Sequence, residues 1–145
     1  MQILDVASGQ VTAVPGSAGL FFPRWSQDGR TIAALKFAAS SYVASGLTVF
    51  DTKTQRWTML VTKDGIAFPS FSADSQFLYY LLPRDDQAVY RVRVKGGEPE
   101  RVVDLKDWHT TGYQSFWMGL DPADAPLLLR DNGTSDLYAL TLEEK

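Results

Sequence analysis

The chain has 145 residues, 45% of them apolar and 21% charged, with 14 Lys+Arg against 17 Asp+Glu and no cysteine. This fits one globular domain and excludes a disordered chain, disulfides, thiolate catalysis and cysteine-ligated zinc. The net charge of −3 argues against generic nucleic-acid binding, and no apolar run reaches the roughly 18 residues of a membrane span.

The elements read in chain order are strands. QILDVASGQVTAV, within residues 1–14, holds two short ones. Residues 19–61 hold four: one ending near Arg24 to Ser26, then Thr31 to Lys36, Leu47 to Asp51 and Arg56 to Val61. Residues 66–105 repeat the set, with a first strand ending near Ser70 to Ser72, then Phe77 to Leu82, Ala88 to Val94 and Glu100 to Leu105. Residues 115–142 supply three more. The runs TIAAL, LTVFD, FLYYLL and VYRVRV are alternating or continuously apolar and too short for typical helices, and many of their residues are β-branched or aromatic. Between them, Gln27-Asp28-Gly29, Lys95-Gly96-Gly97 and Asp131-Asn132-Gly133 carry turn chemistry. The chain is therefore expected to be all-β.

The order of the strands is reinforced by a repeat. FPRWSQDGRTIAAL (22–35) recurs as FPSFSADSQFLYYL (68–81), so that Pro23, Trp25, Ser26 and Asp28 match Pro69, Phe71, Ser72 and Asp74 at an offset of 46 residues. A degraded third copy, FWMGLDPADAPLLLR (116–130), places Leu120 at the aromatic and Asp121 at the serine, 49 residues after the second. A period of about 40 to 50 residues is that of one four-stranded propeller blade. With the strands lettered a to d outwards from the axis, residues 1–14 match c and d alone, and 115–142 match a, b and c.

Pro23 to Gly29 resembles the Pro-x-Trp-Ser-Pro-Asp-Gly turn of the TolB-type β-propeller repeat, a WD-like repeat, lacking only the second proline. LTVFDTKTQRWTML and VYRVRVKGGEPERVV are similar to the c-turn-d part of that repeat, and GLDPADAPLLLRDNGTSDLYALTLE resembles the carboxyl-terminal end of propellers in bacterial multidomain regulators and sensors. Ser75 and Ala123-Asp124 depart from the turn pattern, so those two turns are expected to be less tight. The resemblance implies a partial β-propeller of about three and a quarter blades, against the roughly four to eight with which propellers close. Open edges invite a second chain, and two copies would supply about six or seven blades. A homodimer or a protein partner is the expectation.

No catalytic signature stands out. His109 is the only histidine, and no Gly-x-Ser-x-Gly elbow accompanies it. Asp121, Asp124, Asp131 and Asp136 lack the spacing of a calcium loop and read as turn residues. Neither metal nor cofactor is expected. Phe21, Phe22, Trp25, Phe68, Phe71, Phe116 and Trp117 flank the repeat phrase and read as inter-blade core. The d-to-a and b-to-c connections share one rim, which makes Phe37, Tyr42, Arg84, Trp108, His109 and Tyr113 the candidate binding residues.

The expected function is that of a non-enzymatic interaction module. Two other readings are a sensory fragment of a larger membrane-anchored regulator or kinase and an accessory propeller of a hydrolase. MQILDVASGQ does not read as a signal peptide. Localisation stays open, cytoplasmic as written and periplasmic within a longer parent, with no direct membrane contact and no nucleic acid among the partners.

Overall fold

Residues 1–38, 44–84, 86–109 and 117–133 are described by the computed structural model. Among them β1 (Gln2–Leu4) pairs with β2 (Val11–Ala13) in a two-stranded sheet. A four-stranded antiparallel sheet follows: β3 (Leu20–Trp25), β4 (Thr31–Phe37), β5 (Ala44–Asp51) and β6 (Arg56–Thr62), each beside the next. A second has the same order: β7 (Ala67–Phe71), β8 (Phe77–Leu82), β9 (Ala88–Arg93) and β10 (Glu100–Asp104). Then β11 (Met118–Leu120) pairs with β12 (Pro126–Leu128). This is the a-to-d order read from the repeat. The third strand of the first repeat begins at Ala44, earlier than the expected Leu47, because the ladder continues through Gly46 and Ala44 opposite Lys36 and Phe37. The strand c expected at the end of the chain falls outside the described residues.

The sheets stack face to face because their b strands are apolar on both sides. Leu78, Tyr80 and Leu82 of β8 share one layer with Ala33 and Leu35 of β4, Leu47 and Phe71. The alternate residues Tyr79 and Leu81 share another with Val89, Leu105 and Met118, against which Leu120 and Leu128 pack. On the other side of β4, Ile32 joins Val14 and Phe50, with Met1, Ile3 and Trp57 beside them. A fully buried Leu or Val contributes about 1.5–3 kcal/mol, against about 1 kcal/mol net for a typical hydrogen bond. The faces therefore supply most of the cohesion, and the turns set the register.

In the first of those turns Ser26 Oγ donates to Asp28 Oδ1 (2.6 Å) and accepts from Thr31 N (2.9 Å), while Asp28 Oδ1 also accepts from Arg30 N (3.0 Å). Ser72, Asp74, Phe77 and Gln76 repeat this arrangement at 2.7, 2.9 and 2.9 Å. In the third turn Asp121 takes both parts, its Oδ1 accepting from Ala123 N and Ala125 N, each at 2.8 Å. That turn is one residue shorter, since Asp121 N bonds Ala125 O whereas Ser26 N and Ser72 N bond Thr31 O and Phe77 O five residues on. The strand after it thus shifts by one: Leu127, paired with Gly119, holds the position of Ala33 and Tyr79.

The turns lacking glycine are not looser, contrary to expectation. Ser75 and Asp124 take the left-handed conformation themselves (φ 59 and 64°), as Gly29 does (φ 71°). The Ser75 N–Ser72 O bond is 2.9 Å, against 3.0 Å for Gly29 N–Ser26 O. Their side chains also tie the sheets together: Ser75 Oγ accepts from Asp28 N (3.2 Å), and Asp124 Oδ1 accepts from Ala73 N (2.7 Å). Left-handed strain of about 1 kcal/mol or more is offset by a bond to the preceding sheet.

Phe71 and Trp25 hold equivalent places, paired with Leu78 and Ile32. Phe71 is 9% exposed beneath the preceding sheet, whereas Trp25 is 47% exposed. The two-stranded β1–β2 sheet reaches that face through Ile32, Phe50 and Trp57 of β4, β5 and β6, and not through β3. The expectation that every repeat aromatic is core thus fails at Trp25, beyond which no inner strands lie among the described residues, and at Trp117, 44% exposed at the last sheet. Phe116 lies outside the described residues.

Substitution at Ser75 separates strain from bonding. Ser75→Ala keeps the strained left-handed backbone and loses the bond to Asp28, whereas Ser75→Gly loses the bond and the strain together. Urea unfolding followed by circular dichroism is expected to place Ser75→Gly near wild type and Ser75→Ala below both, the two variants about 1 kcal/mol apart. Equal stability of the two variants would remove backbone strain from this account.

Candidate functional site

The segment following β10 is anchored from two directions. Trp108 N donates to Leu105 O (2.8 Å), closing a turn onto the end of the strand. The Trp108 indole Nε1 donates to Leu129 O (2.8 Å), and the half-buried ring packs on the layer of Tyr79, Leu81 and Val89. Asp131 N donates to His109 O (2.9 Å). The connection after the second full sheet thereby runs beside the segment that leaves β12.

Two shallow clefts result. One is lined by Asp104, Leu105, Lys106, Asp107, Trp108 and Arg130, the other by Trp108, His109, Asp131 and Gly133. The Arg130 guanidinium lies 5.7 Å from the centroid of the Trp108 ring, a cation–π arrangement. His109 is exposed and meets Asp131 through the backbone. Asp131 Oδ1 accepts from Gly133 N (2.8 Å), which makes it a turn residue. The geometry offers an aromatic edge flanked by cations and carboxylates. Among the described residues it holds no imidazole–carboxylate pair beside a nucleophile of the kind acyl transfer requires. Among the described residues no group of three His, Asp or Glu is placed to hold a metal ion.

The other candidates are spread along the rim. Phe37, at the end of β4, stacks on Phe21 with centroids 3.7 Å apart and planes 7° apart. Arg84 is exposed in the connection between β8 and β9. Neither residue lines the Trp108 clefts. Tyr42 and Tyr113 lie outside the described residues. The structure therefore joins Trp108 and His109 and adds Arg130, Asp131 and Gly133, which the sequence reading treated as a strand end and a turn. The shared rim of b-to-c and d-to-a connections was the signal that could have found them.

A second polar cluster escaped the sequence reading. Asp86, two residues beyond Arg84, accepts from Tyr90 Oη (2.5 Å) and pairs with Arg101, which also bonds Asp104 Oδ2 (3.0 Å). The Tyr90 hydroxyl holds the Asp86 carboxyl below its ordinary value, aided by the charges of Arg101 and Lys63. Lys63 follows β6, so this cluster links a d-to-a connection of one sheet with the b-to-c connection of the next. Asp28 and Asp74 are lowered as well, first by Ser26 and Ser72 and then by the backbone of Arg30 and Gln76.

No protein-family model matches the chain, and no curated protein matches its sequence. Solved structures do match its fold. TolB from Acinetobacter baumannii gives a TM-score of 0.67 at 16% identity, over 92% of this chain and 32% of its own. A TolB protein from Agrobacterium tumefaciens gives 0.60 at 21% identity, over 77% and 38%. Oligogalacturonate lyase from Vibrio parahaemolyticus gives 0.61 at 11% identity, over 88% and 40%. The chain thus spans about a third to two-fifths of the length of these structures. What the likeness shows is the fold, a partial TolB-type β-propeller.

The depressed carboxyls set the pH dependence. A carboxyl lowered on folding adds stability above its unfolded value of 3.8 and loses it as pH falls through the folded value. The urea midpoint is expected to be flat above about pH 5 and to drop below about pH 4. Ser72→Ala, which removes the first cause of the Asp74 shift, is expected to shrink that drop. An unchanged acid limb in Ser72→Ala would assign it to other carboxyls.

Proposed function

We propose that the chain is a non-enzymatic TolB-like propeller module that recognises a protein or small ligand at its loop rim and associates with a second copy through its open ends. The observation that carries this reading is the unfinished array. Two four-stranded sheets are flanked by two-stranded ones among the described residues, and Leu4, Trp25, Leu127 and Leu129 are left exposed there. Exposed apolar residues gathered at the ends of a stacked array are surfaces for association.

The rim supports the recognition part. Trp108 is fixed by its indole bond and by packing, while Lys106, His109 and Arg130 surround it. Aromatic and arginine side chains on an anchored loop are the groups that dominate binding energies. The likeness to a lyase extends to the fold.

Light scattering over a concentration series is the test. A mass of about 32 kDa, twice the 16.1 kDa chain, is expected. A folded monomer at all concentrations would overturn the association. A panel of polysaccharide lyase and hydrolase substrates is expected to show no turnover above background. Turnover abolished by His109→Ala would replace this reading with an enzymatic one.

A further inference from the structure

We infer that two copies close a ring by sharing blades, with β11–β12 of one chain laid over Trp25 of the other and the two-fold axis running along the propeller channel. The inference rests on the self-association proposed above and specifies the surfaces that perform it.

The chain contains its own template for the contact. Within it, Phe71 is covered by the layer that includes Ala33 and Leu35, the residues of β4 facing the next sheet. Trp25 holds the position of Phe71, and among the described residues no inner strands cover it. Leu127 holds the position of Ala33, and Leu129 follows just past the end of β12. The opposite face of β12 is already used, since Leu128 packs towards β8 with Leu120 and Met118. Leu127 and Leu129 are 46% and 47% exposed. The chain thus carries both halves of one inter-blade contact, an uncovered aromatic at one end and its uncovered cover at the other.

The first sheet gives the same answer from the opposite side. Ile3 faces the layer of Val14, Ile32 and Phe50, so its neighbour Leu4 faces away, paired with Val11. Both are exposed on the side where another blade would lie. Strands β1 and β2 match outer strands and reach the next sheet through β4, β5 and β6, whereas β11 and β12 are inner strands joined by the repeat's a-to-b turn. Inner strands from one copy and outer strands from the other make one shared blade. The described residues of each chain then contribute two whole blades and two partial ones, and two copies give six, within the roughly four to eight that close a propeller. Because the two contacting surfaces differ, each copy donates one of each, and a two-fold along the channel makes the two contacts equivalent.

Cysteine substitution tests this arrangement in the intact 145-residue chain, whose native sequence has no cysteine. Trp25→Cys and Leu127→Cys are prepared separately, mixed in equal amounts, oxidised and run without reductant. A covalent species of about 32 kDa is expected in the mixture, with little from either variant alone. Leu129→Cys serves in place of Leu127→Cys should the latter not fold. Trp25→Glu is expected to weaken association by about thirtyfold or more, as removal of an anchor residue does, with the circular dichroism spectrum unchanged. Association without the mixed disulfide, or a disulfide from Trp25→Cys alone, overturns this geometry and leaves self-association standing. A monomeric wild type overturns both.

Discussion

Each four-stranded sheet of this chain is apolar on both faces, and that constraint organises the molecule. The run FLYYLL in β8 shows why: Leu78, Tyr80 and Leu82 turn to one side, Tyr79 and Leu81 to the other, and all are buried. A sheet with one wet face would alternate apolar and polar residues, whereas this pattern demands a neighbour on each side. Stacking in chain order answers that demand everywhere except at the ends. The outer strands face a different problem. Their free edges carry Arg56, Lys63, Glu100 and Arg101, charges that discourage strand addition from outside. The ends therefore call for cover on their faces, while the circumference stays in water.

Stacking alone does not fix how far one sheet slides over another. The turns between the a and b strands do so, because a serine and an aspartate lock six residues into one geometry and the following turn reaches back to it. The third turn shows that the bonds matter more than the residue types. Asp121 replaces both the serine and the aspartate, a residue is lost, and the pairing resumes with Leu120 opposite Pro126, as Trp25 is opposite Ile32. Loss of glycine is handled similarly at Ser75 and Asp124, whose left-handed backbone is stabilised by the bond each makes to the preceding sheet.

The strands, their order and the period were legible because aromatic, serine and aspartate positions recur in phase with apolar runs. The shorter third turn was not. In PLLL three leucines in succession give no alternation, so the sequence does not say which of them faces inward; only the pairing of Gly119 with Leu127 does. Trp25 and Phe71 were likewise indistinguishable, being the same kind of residue in the same phrase. Their burial differs because of what lies on the adjacent sheet, which is information from outside the phrase. Local pattern reports which residues can be core, and stacking decides which of them are.

The rim was half legible for a related reason. Topology puts d-to-a and b-to-c connections at the same end of every blade, which suffices to bring Trp108 and His109 to residues 130–133. It does not bring Phe37 or Arg84 to them, since each belongs to the connection of a different blade. Nor does it reveal what holds the rim: the indole of Trp108 on the carbonyl of Leu129, and the amide of Asp131 on the carbonyl of His109. Both bonds end on a backbone carbonyl, so the segments are fixed while the side chains of Lys106, His109 and Arg130 line the clefts. A loop held in this way loses little conformational entropy on meeting a ligand, and its exposed cations can give their contacts to the partner. The same bond joins the rim to the ends of the array. Leu129, exposed just past β12, gives its carbonyl to Trp108, so a chain seated on Leu127 would press on the segment that frames both clefts.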